Sequence, residues 1–131
     1  MMKAQSAIEL LFILGIGLAI VFAIYNVAYA MSKDDISLKK TEIAVDILQN
    51  AIEEVYALNP GSAKYVEIEL PGNLINAEVR NHTIYYSISL SSGNTDVVRK
   101  VTPKVSGDLP LSEGKHKLLI SYVGGELVQI S

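Results

Sequence analysis

Several residue types and patterns are missing from this sequence, and each absence excludes a class of chemistry. There is no cysteine, which rules out disulfides, thiolate metal sites and cysteine nucleophiles. The two histidines, His82 and His116, fit no metal-binding spacing, and neither a phosphate-binding glycine loop nor a Gly-x-Ser-x-Gly motif occurs. Lysine and arginine form no cluster and the net charge is −3, which argues against nucleic acid as a partner. We therefore expect no enzymatic activity, no cofactor, no metal and no nucleic-acid partner.

A long apolar segment near the N-terminus is the most prominent feature that the sequence does have. Residues 10–31 include no Asp, Glu, Lys, Arg or His, and about 20 apolar residues suffice for a helix to cross a bilayer. Lys3 precedes this segment, so the positive-inside tendency predicts a cytoplasmic N-terminus and places everything after Ser32 outside. Glu9 lies at the start of the apolar stretch, although a carboxylate costs about 2.5–3.5 kcal/mol at a bilayer centre and less near an edge. Such a residue usually has a partner or a role, and the alternative is that Glu9 only marks the interfacial end of the span.

Residues 3–11 read Lys-Ala-Gln-Ser-Ala-Ile-Glu-Leu-Leu. This stretch resembles the class III signal sequence of archaeal type IV pilins, in the subset whose mature chain begins Gln-Ser-Ala-Ile-Glu. The resemblance implies that a prepilin peptidase removes residues 1–4 by cutting between Ala4 and Gln5, and that the apolar helix stays in the mature protein. It also implies that Glu9 takes part in assembly, where it would pair with the N-terminal amine of a neighbouring subunit.

The same resemblance implies a function, a location and a set of partners. The chain would be a structural subunit that is inserted in the cell membrane as a precursor and then polymerises with copies of itself into an extracellular filament, for adhesion. A pilus assembly ATPase and a platform protein would act with the peptidase. The implied architecture is a pilin-like lollipop with a hydrophobic transmembrane or filament-core helix at residues 5–31, its amphipathic continuation at 32–59 and a β domain at 60–131.

Three other interpretations of the N-terminal segment stay open at this level. The chain could be a single-pass, membrane-anchored extracellular binding module that does not polymerise. It could be an archaellum subunit or a minor pilin. It could also be an ordinary secreted protein, because the Ala-Tyr-Ala sequence at residues 28–30 matches a signal-peptidase site before Met31.

Helical periodicity continues after the apolar segment. Apolar residues recur at three- and four-residue steps and predict one buried stripe, which comprises Ile36, Ile43, Ala44, Ile47, Leu48, Ala51, Ile52 and Val55. The predicted helix stops at Asn59-Pro60, because the residue before a proline is pushed out of the α region. Residues 32–35 also resemble a capping motif, so a break into two helices near Ser32 is the alternative to one continuous helix.

The C-terminal half changes to a period of two. Val66, Ile68 and Leu70 alternate with polar neighbours, as do residues 84–90, 118–122 and 128–130, and turn signals separate these runs. We predict about five or six antiparallel strands that wrap the helical stripe, since so small a sheet buries too little surface alone. The predicted fold class is therefore α+β, a long N-terminal hydrophobic helix with a small C-terminal antiparallel sheet domain.

One short motif remains in the predicted outer domain. Asn81-His82-Thr83 is an N-glycosylation sequon and falls in a predicted turn. The neighbouring acidic residues Asp34-Asp35 and Glu53-Glu54 are predicted to lie on solvated faces, and the histidines are predicted surface residues.

Overall fold

One long helix opens the chain in the computed structural model, which describes residues 2–131. Helix α1 spans Met2–Ala57 without interruption, so no break occurs near Ser32. It ends three residues before Pro60, as the sequence predicts, and the Leu58 N–H donates to the Val55 carbonyl at 3.2 Å in the last turn. The chain divides into two compact units, one ending at Lys33 and the other comprising Asp34–Ser131.

Seven strands follow α1 and complete the second unit. They are β1 Ala63–Leu70, β2 Leu74–Arg80, β3 Thr83–Leu90, β4 Gly93–Lys100, β5 Lys104–Gly107, β6 Gly114–Gly124 and β7 Leu127–Ile130. One sheet has four strands in the order β1-β6-β7-β5, and the other has three in the order β2-β3-β4. The predicted α+β class is confirmed.

The sheets differ from the sequence prediction in two details. There are seven strands, and β5 pairs with β7 in parallel, whereas the other four pairings are antiparallel. Strand β5 has only four residues, of which Val105 alone is buried, so it leaves no alternation for a sequence pattern to detect. Its partner is the last strand of the chain, and no local turn signal predicts a pairing across that separation.

Alternate strand residues pack against one face of α1 in a single core. Val66, Ile68 and Leu70 are buried on β1, and Ile84 and Tyr86 are buried on β3, which confirms the predicted alternation. The helix contributes Ala44, Val45, Leu48, Ala51, Ile52 and Val55 to the same cluster. Burying a Val, Leu or Ile side chain stabilises a fold by about 1.5–3 kcal/mol, so this shared core holds the second part of α1 and both sheets together.

The predicted stripe on α1 is wrong at two positions. Ile36 and Ile43 are exposed by 56% and 50%, whereas Val45, Ser37 and Thr41 are buried. At 100° per residue, Thr41 lies on the same face as Val45 and Leu48. Its hydroxyl donates to the Ser37 carbonyl at 2.9 Å, which removes most of the cost of burying a polar group there. Because Ser37 and Thr41 are polar although buried, hydrophobic periodicity alone assigns the buried stripe to the neighbouring face, which carries Ile36 and Ile43.

Polar side chains on both flanks of α1 contact the strands beside it. On the β1 side, Lys40 Nζ lies 3.3 Å from Glu69 Oε1 and Glu54 Oε2 lies 2.5 Å from Lys64 Nζ. On the other side, the partners belong to β4 and its adjoining turns: Asp34 with Ser91, Asp46 with Arg99, Gln49 with Lys100 and Glu53 with Thr102. The three ion pairs among these contacts are at least partly exposed, and such pairs contribute about 0–1 kcal/mol each.

Gly107 offers a test of the β5–β7 pairing. Its φ is 123°, and a Cβ atom there would lie 2.1 Å from the Ile130 carbonyl oxygen. We expect Gly107→Ala to lower the free energy of unfolding by about 2 kcal/mol or more, because backbone must move to admit the methyl group. Urea unfolding of the full chain in detergent, followed by the near-ultraviolet circular dichroism of its tyrosines, measures this loss. Gly93→Ala is the control, with a φ of 129° and no atom within 4 Å of the added Cβ; equal losses would contradict the account.

Tyr86 predicts a pH dependence of stability. Its ring is fully buried, its hydroxyl donates to the Pro110 carbonyl at 3.0 Å, and burial raises the pKa of the phenol. Burial thus favours the neutral phenol in the folded state. Its contribution to the free energy of unfolding is fully present below the unfolded pKa of about 10 and is lost as pH rises above that value, because the unfolded chain then ionises first. We expect Tyr86→Phe to cost about 1 kcal/mol at pH 7 and the difference from wild type to shrink at pH 11. Urea unfolding at both values checks this; an unchanged difference would contradict it.

Candidate functional site

The part of α1 before Lys33 exposes an apolar surface on every side. Sixteen large apolar side chains between Ile8 and Met31 are exposed, from 51% at Ile16 to 72% at Phe12. The most apolar 18-residue window has a mean hydropathy of 2.7, and none of it is buried. By length and composition this helix is able to cross a membrane. A surface of this extent marks an interaction site for lipid or protein.

The residues of the predicted cleavage and assembly sites all lie on this helix. Ala4, Gln5 and Glu9 are in α1 and are exposed. Gln5 and Glu9 are four residues apart, so they lie on one face on consecutive turns. Within residues 2–131 no ion pair engages Glu9. The structure thus brings the predicted new N-terminus and the assembly carboxylate onto one face of the helix, among apolar side chains.

Two features near the end of the apolar run were not expected from the sequence. Tyr25 and Tyr29 stack with ring centroids 6.4 Å apart and an interplanar angle of 18°. Asn26 donates its amide to the Phe22 carbonyl at 2.8 Å, so its polar group is satisfied within the helix. Tyrosines with apolar rings and polar tips favour the membrane–water interface, and their four-residue spacing was the available sequence signal.

Asn81 lies on the outside of the second unit, in the turn between β2 and β3. Its side chain is exposed, and it is the only non-glycine residue with positive φ in the described part of the chain, at 46°. The Asn81 carbonyl accepts the Val105 N–H at 2.6 Å, and the His82 carbonyl accepts the Val101 N–H at 2.8 Å. The turn is therefore held against β5 and the residues just before it.

Both histidines serve local backbone contacts. His82 Nδ1 lies 3.0 Å from the Thr102 carbonyl oxygen, and His116 Nε2 lies 2.7 Å from the Ser112 carbonyl oxygen. Across residues 2–131, no group of three or more His, Asp or Glu side chains is arranged to hold a metal ion. The sequence predicts only solvation for Asp34, Glu53 and Glu54, but each of them makes one of the flank contacts described above.

A polar network covers part of the outer face of the β2-β3-β4 sheet. The Tyr85 hydroxyl donates to Glu78 Oε2 at 2.8 Å, Asn76 donates to the same hydroxyl at 3.3 Å, and Arg80 pairs with Glu78. The Arg80 and Tyr85 hydrogen bonds lower the pKa of Glu78, and the bond to Glu78 raises the pKa of Tyr85. These groups therefore hydrogen-bond and pair with one another on the outer face of the sheet.

A shallow groove lies beside α1 in the second unit. It encloses about 270 Å³ and is lined by Lys40, Ile43, Ile47, Glu67, Ile68, Glu69 and Lys115. Its charged rim is already paired, since Lys40 contacts Glu69 and Lys115 lies 3.9 Å from Glu67. Ligand pockets usually enclose about 300–1,000 Å³, so this groove is smaller than a typical ligand pocket.

Comparison with known proteins adds no constraint. No protein-family model, curated protein or solved structure matches the chain. The features that bear on function are therefore the chain's own, above all the exposed apolar helix and the residues at its start.

Proposed function

We propose that this chain is a pilin, the structural subunit of an extracellular filament of the archaeal type IV pilus kind. The precursor is inserted in the membrane through residues 5–31, and a prepilin peptidase cuts between Ala4 and Gln5. An assembly ATPase and a platform protein then drive polymerisation, and the filament serves adhesion.

The observation that carries the proposal is the uncovered apolar surface between Ile8 and Met31. Each Leu, Ile, Val or Phe that moves from water to an apolar environment contributes about 1.5–3 kcal/mol. Nothing else in the described chain covers these side chains. Lipid satisfies them in the precursor, and the helices of neighbouring subunits satisfy them in the filament.

Glu9 favours the filament over permanent residence in lipid. A lone carboxylate costs about 2.5–3.5 kcal/mol at a bilayer centre and less near its edge, and Glu9 stands between Ile8 and Leu10, which are 66% and 59% exposed. A bundle of processed helices supplies a cation for it, because the cut before Gln5 creates an amine four residues away in sequence. A buried charge is tolerated when it is paired, so assembly offers Glu9 the partner that lipid does not.

The second unit suits the outer wall of such a filament. Residues Asp34–Ser131 have their own core, and charged side chains such as Glu67, Lys115 and Lys117 lie on the exposed face of the β1–β6 pair. A domain that folds around its own stretch of helix leaves the apolar part of α1 available for assembly.

Shearing of intact cells tests the proposal. We expect the sheared extracellular fraction to contain filaments that bind antibodies raised against residues 60–131. A chain found only in the membrane fraction, with no labelled filaments, would contradict polymerisation and would favour the membrane-anchored binding module.

Substitution of Glu9 gives a sharper prediction. We expect Glu9→Ala and Glu9→Gln to lower the yield of sheared filaments about tenfold or more, because either change leaves the partner amine unpaired in an apolar bundle. Asn26→Ala is the matched control, since the Asn26 amide is already satisfied by Phe22 within its own helix. Membrane levels of each precursor are measured by immunoblot in parallel. Normal filament yield from both Glu9 variants would contradict the pairing.

A further inference from the structure

We propose that Asn81 carries an N-linked glycan, attached before the turn between β2 and β3 closes on β5 and the residues just before it. The inference needs the outward location of the second unit that the proposed function includes, but it does not need polymerisation. Asn81-His82-Thr83 is the only Asn-x-Ser/Thr sequence in the chain.

The turn leaves the Asn81 side chain available. Its residue is exposed, and within residues 2–131 no hydrogen bond engages its amide group, whereas the amides of Asn26, Asn73 and Asn76 all donate to other groups. The neighbouring His82 ring is occupied by the Thr102 and Pro103 carbonyls. A bulky, hydrated group on Asn81 therefore extends into solvent without displacing a contact of the fold.

The backbone geometry of the turn explains the choice of Asn81 but not that of Thr83. A φ of 46° at position 81 favours Asn, Asp or Gly. The same geometry places no demand for a hydroxyl two residues later, where Thr83 begins β3 opposite Arg80 and Lys100. The positive φ therefore accounts for Asn81 but not for Thr83, and the structure places Asn81 in the turn and Thr83 at the first position of β3.

The backbone hydrogen bonds of the turn indicate that glycan transfer precedes folding of the turn. The Asn81 and His82 carbonyls accept N–H groups of Val105 and Val101, which follow later in the chain. When the domain crosses the membrane after α1, the sequon emerges before these donors do. Glycan transfer at that stage meets a flexible acceptor, whereas the folded turn is held by both hydrogen bonds.

Transfer of the glycan to Asn81 needs one co-reactant, a lipid-linked oligosaccharide phosphate or diphosphate. Asn81 Nδ2 forms a bond to the anomeric carbon of the first sugar, and the bond from that carbon to the phosphate oxygen breaks. The electron pair leaves with the phosphate, and a base of the transferase takes the proton from Nδ2. No oxidation or reduction is involved.

Intact-mass spectrometry of the full chain, purified from its own cells, tests the inference. We expect the wild type to exceed the mass of its polypeptide, calculated from its actual N-terminal residue, by a whole number of sugar residues, and peptide mapping to place the addition on Asn81. Thr83→Ser retains the hydroxyl and should keep the modification. Thr83→Val removes only the hydroxyl, and Asn81→Gly keeps a residue that tolerates positive φ; both should lose the added mass completely while remaining folded.

Two outcomes overturn the inference without touching the proposed function. One is an unmodified wild-type chain in sheared filaments, and the other is a sugar that persists in both Thr83→Val and Asn81→Gly. A glycosylated chain that stays in membranes and yields no filaments would support the inference and overturn polymerisation. A purified, folded and unmodified wild-type chain should be a poorer acceptor than a synthetic peptide of residues 76–88 in a membrane transferase assay; equal transfer would overturn the proposed order of events.

Discussion

An apolar helical surface that the chain itself does not cover is the constraint on which the rest depends. Between Ile8 and Met31 the side chains of α1 are exposed on every side, and water penalises each of them. The protein therefore exists stably only where lipid or other helices surround this segment. This segment begins next to a single carboxylate, Glu9, which needs a cation when it is removed from water. That need favours a bundle of processed helices over lipid as the final environment of the segment.

The second part of the same helix, in contrast, is covered on one face by the chain's own strands. From Asp34 onward, two small sheets cover one face of α1, and neither has enough apolar area to be stable alone. Val45, Leu48 and Ile52 complete the core that the strands lack. Flank contacts such as Arg99 with Asp46 then set how the strand edges lie along the helix. One helix thus serves as core for a domain and, at its other end, as an interaction surface.

Periodicity predicted the fold where burial is decided locally and failed where tertiary contacts decide it. The alternation of Val66, Ile68 and Leu70 was sufficient to identify β1 and its inner face. Thr41 was missed as a core residue because its burial depends on a hydrogen bond to a carbonyl, and the parallel β5–β7 pairing depends on the end of the chain. At the candidate site, the composition of residues 3–31 indicated the exposed apolar helix, whereas the turn that presents Asn81 depends on carbonyl contacts to later residues.

The most direct measurement of the central claim is the N-terminal peptide of the chain in filaments sheared from cells, determined by mass spectrometry. We expect a mature chain that begins at Gln5 with a free amine and that retains the whole apolar helix; a cyclised Gln5 would still show processing but would contradict the pairing with Glu9, because the lactam carries no positive charge. A chain that begins at Met1 and occurs only in membranes would contradict processing and polymerisation together. A chain that begins at Met31 would mean that the helix is removed on secretion, and the filament would then have no core.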